Sequence, residues 1–291
     1  MASIGHLGGL YSFAMGYLYL LLAASLWGLL GPVSRLAFQE GLSPLLVAFF
    51  RAVIAWVFFA LHALFLRQVR VAPRDLPVLL LFGLVGVSLF YGSYQLAVGY
   101  GGAALASVLL YTAPAWVALL SALVLKEPLD RTGLLAVGLT LLGVALMGLG
   151  GGSEVRTGPL ALLFGLLSGF TYALYYIFGK LYLPRYATPT LFLYALPVGA
   201  LGLWPFVDFV PLGPKALLAL LFLGTFSTYG AYLAYYAGLR RLPATRASVV
   251  ATLEPVVANL FAFLLFREVL SPLGYLGALL VLLAVLLSVR R

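Results

Sequence analysis

Two ionisable side chains stand inside long apolar stretches of this sequence. Arg51 lies in PLLVAFFRAVIAWVFFALHALF and Glu254 in ASVVATLEPVVANLFAFLLF. A charge held in hydrocarbon costs about 2.5–3.5 kcal/mol on insertion scales, so such groups are paired or functional. Arg51 has the chemistry to anchor a substrate carboxylate or to close a gate as half of an ion pair. Its structural alternative is a guanidinium bonded to helix ends or reaching for the surface. Glu254 is the candidate for proton coupling or for holding an amine. Its structural alternative is a partner for Arg51 or for backbone groups. Pro255 follows it and leaves a helical carbonyl unpaired.

Around these charges the polar content is aromatic and hydroxylic. Ser88, Tyr91 and Gln95 fall on one helical face, with Tyr94 beside them, and Thr228, Tyr232 and Tyr235 repeat the pattern. Ser168, Thr171, Tyr172, Tyr175 and Tyr176 form a third group, and Ser107, Tyr111 and Trp116 a fourth. Trp27 completes the candidate set. Tyrosine offers a flat apolar face and a hydrogen-bonding tip, which suits an amphipathic solute carrying a ring or a cation. Packing or an interfacial belt is the simpler role for Tyr17, Tyr19, Tyr182 and Tyr275. The expected substrate contacts are therefore Arg51, Tyr91, Tyr94, Gln95, Tyr111, Trp27, Tyr172, Tyr175, Tyr232, Tyr235 and Glu254.

The elements that position them must be membrane helices. The chain has 291 residues, 64% hydrophobic and 9% charged, with mean hydropathy +1.12. A soluble domain carries about 25% charged residues. A water-soluble enzyme, a disordered regulator and a disulfide scaffold are excluded. There is no cysteine, and two histidines, His6 and His62, do not make a metal cluster. No metal or cofactor is expected. A net charge of +9 reports orientation in such a chain rather than nucleic-acid binding.

Ten apolar stretches are long enough to span, at about 20 residues each. They fall near 16–36, 43–66, 76–97, 102–125, 132–150, 159–181, 189–207, 214–238, 245–266 and 271–289. Residues 1–15 read as a short tail without a charged signal region. If the N-terminus is cytoplasmic, 12 Lys and Arg lie on inner loops and 4 on outer loops. Both termini are then expected in the cytoplasm of a cell (inner) membrane. Arg51 sits about eight residues into its span, or ~12 Å from the outer surface. Glu254 lies at comparable depth, about 5 Å away along the normal, so the two are candidates for a gating pair.

The stretches repeat. At an offset of 145, Ser43-Pro44 meets Thr188-Pro189, Arg35 meets Lys180 and Trp27 meets Tyr172. At an offset of 141, Tyr91, Tyr94, Pro114 and Lys126-Glu127 meet Tyr232, Tyr235, Pro255 and Arg267-Glu268. Residues 16–150 thus form one five-span unit, 151–158 a linker and 159–291 a second unit. Five is odd, so the second copy is inserted upside down. The loop charges agree: GYGGAA has none, while its counterpart RRLPATR has three arginines. Inverted repeats let one midplane site face each side in turn. Arg51 and Glu254 have no charged counterparts, since Leu196 and Ala113 stand there.

These residues resemble a known family. Two five-span copies, Trp27-Gly28, Arg51, the span prolines and the stretch 247–288 are similar to the EamA type of the drug/metabolite transporter superfamily. The resemblance implies an all-α polytopic membrane protein of ten transmembrane helices in two inverted five-helix repeats. It implies a central cavity lined by spans 1–4 and 6–9, with spans 5 and 10 at the periphery, where a homodimer contact is expected. It also implies a secondary transporter of small metabolites such as amino acids, amines or drug-like aromatic compounds, often by efflux. No phosphate-binding loop for ATP is present. The alternatives are a lipid flippase or scramblase, a subunit of a membrane complex, or a membrane enzyme. The last would need more clustered acids or histidines than this chain offers.

Overall fold

The computed structural model describes residues 2–149, 158–267 and 269–289, with the side chains of residues 2–10 and 104 not described. All of the expected linker except Gly158 lies outside the described residues, as does Glu268.

Ten helices among the described residues are long and apolar enough to cross a membrane. They are α1 (Tyr11–Gln39), α2 (Pro44–Phe65), α3 (Leu76–Ala103), α4 (Leu105–Leu125), α5 (Arg131–Leu149), α6 (Pro159–Tyr182), α7 (Thr188–Phe206), α8 (Pro214–Leu239), α9 (Ala244–Phe266) and α10 (Pro272–Val289). Two ends differ from expectation. The helix of α1 begins at Ala2, not near residue 16, because the preceding stretch holds no proline or charge to stop it. The Gly99-Tyr100-Gly101 stretch, expected as a loop, is helical, and the chain breaks only at Gly102, where φ is 84°.

Helix pairing follows the inverted repeat. Helix α1 packs on α8, and its counterpart α6 packs on α3 and α4. Helices α2 and α7 pack on each other across the pseudo-two-fold axis, as do α5 and α10 at the periphery. A Cβ on Gly277 would lie 2.4 Å from the Gly143 carbonyl oxygen, and one on Gly143 would lie 2.7 Å from that of Gly277. Only glycine permits this reciprocal approach.

The central helices are not regular. Helix α4 breaks at Tyr111–Thr112 and α9 at Thr252–Leu253, related by the offset of 141. In each, a proline two or three residues on (Pro114, Pro255) withdraws one N–H from the ladder. Helices α3 and α8 each contain a π-helical segment, Gly83–Leu89 and Thr225–Gly230, again related by the repeat. Inserted π turns redirect side chains and concentrate at functional positions. Lys126 and Arg267, also repeat mates, end α4 and α9 in the left-handed conformation, with φ of 56° and 60°. The repeat thus extends from residue types to backbone irregularities.

Candidate substrate-binding site

The broken and π-distorted helices surround a cavity of about 480 Å³. Its lining comes from the second half of α1, the first halves of α2 and α4, the second halves of α3 and α9, and single residues of α6 and α8. All the contributing halves point to one end of the bundle, the face carrying Gly41. There the cavity reaches exposed Phe38 and Pro44.

Arg51 projects from α2 into this space and is 7% exposed. Its Nε–H donates to Thr228 Oγ1 at 3.1 Å, and Nη2 donates to the Tyr91 hydroxyl at 3.4 Å. The guanidinium carbon lies 5.4 Å from the centre of the Tyr91 ring, a cation–π distance. Glu254 lines the same cavity from the first turn of the second half-helix of α9. A carboxylate there is favoured by the helix dipole. The Tyr111 hydroxyl, at the break in α4, faces it. Arg51 and Glu254 are not within ion-pair distance of each other, so the expected gating pair is not formed in this structure. Arg51 and Glu254 face one solvent-accessible space that is also lined by aromatic rings.

Those rings are Trp27, Phe90, Tyr91, Tyr94, Tyr111, Tyr172 and Tyr232. Phe90 and Tyr172 stack at 5.4 Å, and Trp27 meets Tyr172 and Tyr232 edge-on at 6.4 and 5.9 Å. Gln95 also lines the cavity.

Nine of the eleven residues singled out in the sequence therefore share one cavity. Tyr175 and Tyr235, also expected as contacts, do not line it in this conformation. Tyr175 is buried behind Tyr232, donating to the Gly86 carbonyl at 2.6 Å and accepting from the Tyr232 hydroxyl at 3.4 Å. Tyr235 is 1% exposed, packed against Trp27 and Tyr176. The inverted geometry gives the reason. Tyr91 and Tyr232 lie at mid-depth, so both reach the cavity. Tyr94 lies towards the open face, which puts its mate Tyr235 towards the closed one.

Three lining residues carry signals that the sequence reading passed over. Ser34 follows Trp27 at i+7 on one helical face. Phe90 immediately precedes Tyr91. Asn259 lies one turn beyond Pro255 and donates to its carbonyl at 2.8 Å. An amide in an apolar span is itself a functional signal.

The opposite end of the bundle is closed by polar contacts between the repeats. Glu127, just after α4, accepts from Ala244 N–H at the start of α9 at 2.8 Å and lies 3.7 Å from Lys180 Nζ. Ser121 and Thr245 hydroxyls meet at 3.1 Å beside it. Asp75 takes both Arg185 contacts, at 2.9 and 3.0 Å, and the Tyr186 hydroxyl at 2.7 Å. The Tyr186 hydroxyl, then Arg185, hold the Asp75 carboxyl below its usual range against the opposing effect of burial. Tyr194 and Thr190 of α7 donate to the carbonyls of Val69 and Gln68. His62 Nδ1 and the Tyr229 hydroxyl are hydrogen-bonded at 2.8 Å.

The EamA-like transporter family model matches residues 14–149 and again 159–290. The chain belongs to this family. A transporter of uncharacterized function from Archaeoglobus fulgidus is 32% identical over 279 residues, covering 94% of this EamA-like transporter and 99% of the relative. The transporter YwfM of Bacillus subtilis, likewise uncharacterized, is 28% identical over 284 residues, covering 96% and 93%. A solved crystal structure superposes with a TM-score of 0.82 over 95% of this chain and 96% of that one, at 18% identity, and so supports the fold alone. This EamA-like protein is a multi-pass membrane transporter of small molecules.

Proposed function

We propose that this protein is a secondary transporter that exports small amphipathic metabolites by alternating access. The carrying observation is the cavity with Arg51, Glu254 and aromatic rings on its walls. Arg51 pairs with a carboxylate of the substrate, and Glu254 holds an amine or a proton in its place. The tyrosines and Trp27 hold an apolar or aromatic body. Amino acids carry both groups, and aromatic amines carry the amine and the ring.

The loop charges support cytoplasmic termini, which puts Asp75, Glu127 and Arg185 on the cytoplasmic face. The Gly41 face is then external and the conformation outward-open. Transport follows when the Gly41 face closes over the site and the Asp75 face opens. Proton coupling rests on Glu254, whose protonation competes with a bound amine. A homodimer contact would use the leucines that α5 and α10 turn outward, such as Leu135 and Leu279.

A second reading, lipid flipping, has one observation in its favour. The second half-helix of α9, Glu254–Phe266, has no buried residue, so a single helix separates the cavity from lipid. The test is flux of labelled phenylalanine, phenethylamine and a fluorescent phospholipid in proteoliposomes, for wild type, Arg51→Gln and Glu254→Gln. Loss of phenylalanine flux in Arg51→Gln and loss of pH dependence in Glu254→Gln fit the proposal. Flux of the phospholipid alone would replace it with the second reading.

A further inference from the structure

We propose that Thr228 is the positioning residue for Arg51. Its hydroxyl, turned by the π-helical segment of α8, fixes the guanidinium with its outer edge to the cavity. The inference rests on Arg51 binding the anionic group of the substrate, and it adds the device that aims it.

Thr228 has a single hydroxyl proton to give. The Thr228 hydroxyl donates to the Leu223 carbonyl at 2.9 Å, five residues back rather than the usual four. That spacing belongs to the π turn Thr225–Gly230, which carries the carbonyl of Leu223 round to Thr228. The single hydroxyl proton is thereby committed. What remains at Oγ1 is lone pairs, so it can only accept. Thr228 is 0% exposed, and an acceptor buried there needs a donor. Arg51 Nε–H meets it at 3.1 Å. With Nε held from behind and Nη2 over Tyr91, the guanidinium plane has little freedom left.

The other half of the molecule serves as an internal control. The repeat mate of Arg51 is Leu196 and that of Thr228 is Val87. Val87 lies in the equivalent π segment and packs against α7 at Gly199. Leu196 is fully buried on the same helix. The scaffold therefore forms equally well with an apolar pair, and the polar pair occurs only where the cavity needs a directed cation. Valine at this position of the π turn is already accommodated once in this chain.

The experiment uses the full chain in lipid nanodiscs with arginine-selective ¹⁵N labelling. It compares wild type, Thr228→Val, Thr228→Ser and Arg51→Lys. The Arg51 Nε–H signal is the one missing in Arg51→Lys. It should be protected from exchange in wild type and Thr228→Ser and exchange at least about tenfold faster in Thr228→Val, other arginines unchanged. Benzoate and phenethylamine binding, read by quenching of tryptophan fluorescence, supply the second measurement. Benzoate affinity should fall about tenfold in Thr228→Val and recover in Thr228→Ser, with phenethylamine unmoved. An Nε–H equally protected in Thr228→Val overturns the proposal, as does failure of Thr228→Ser to restore protection. If Arg51→Gln, measured alongside, binds benzoate as wild type does, the anion-binding reading of Arg51 fails, while the exchange data still judge the positioning by Thr228.

Discussion

Removing Glu127 should shift the equilibrium between the two faces of the transporter. Glu127 joins the first repeat to the start of α9 in the second. Its carboxylate accepts one of the N–H groups that a helix start leaves without a partner, at 2.8 Å, and Lys180 stands 3.7 Å away. A hydrogen bond to a charged group contributes about 1.5–3 kcal/mol when buried. Here both side chains of the ion pair are 21% exposed, so the pair adds little and the hydrogen bond is partly screened. A net of about 1–2 kcal/mol remains, roughly a 5- to 30-fold change in an equilibrium. The contact spans the closed face and cannot persist when that face opens. Glu127→Ala should therefore raise the open population by that factor. The chain has no cysteine, so Thr245→Cys introduces a single reporter thiol, buried beside Glu127. Its labelling rate by a polar maleimide tracks the opened fraction. A rate in the Glu127→Ala background within twofold of the Thr245→Cys parent would refute the assignment of Glu127 as a closure of this face.

Three further outcomes follow from the same geometry. Asp75 has a depressed pKa in the closed face, so its contribution is present above the ordinary carboxylate pKa and is lost as pH falls through the depressed value. Thr245→Cys labelling, taken relative to a free thiol at the same pH, should then stay flat from neutral pH to about 5 and rise only in stronger acid, and Asp75→Asn should raise it at neutral pH. Tyr94→Cys should label readily and Tyr235→Cys slowly, and Glu127→Ala should speed labelling of Tyr235→Cys, because the pair exchange faces; equal rates in both backgrounds would contradict this. Gly277→Val drives a side chain into the Gly143 backbone, 2.4 Å from its Cβ position, and should cost about 1–3 kcal/mol or more, read as a lowered thermal midpoint.

Much of the fold is readable from residue types because lipid imposes a simple rule. Each span must be apolar and long enough to cross, and every one of the ten is, with at least 18 residues. The repeat adds more than topology: Pro114 and Pro255 mark the broken helices, and Tyr91 and Tyr232 mark the midplane. The cost of intramembrane charge singles out Arg51 and Glu254 without any structure. What escapes the sequence is conformation. A pseudo-symmetric chain encodes both facing states, so nothing in Tyr94 and Tyr235 says which is exposed in the state observed. The link from Arg51 to Thr228 escapes for another reason. It depends on a π turn that shifts side-chain direction within α8, and a regular 3.6-residue reading of the helix does not contain it. Lys126-Glu127 stands at a span end in the sequence, and Glu127 accepts an N–H at the start of α9. Its place between the repeats, which makes that contact a closure, is visible only in three dimensions.

The most direct measurement is flux into and out of proteoliposomes for a panel of amino acids, aromatic amines and aromatic carboxylates, with and without a pH gradient. Saturable flux is expected for at least one class that carries a carboxylate, lost in Arg51→Gln and weakened by Tyr91→Ala and Tyr232→Ala. Protein-dependent flux untouched by all three substitutions would contradict the claim that substrate passes through this cavity.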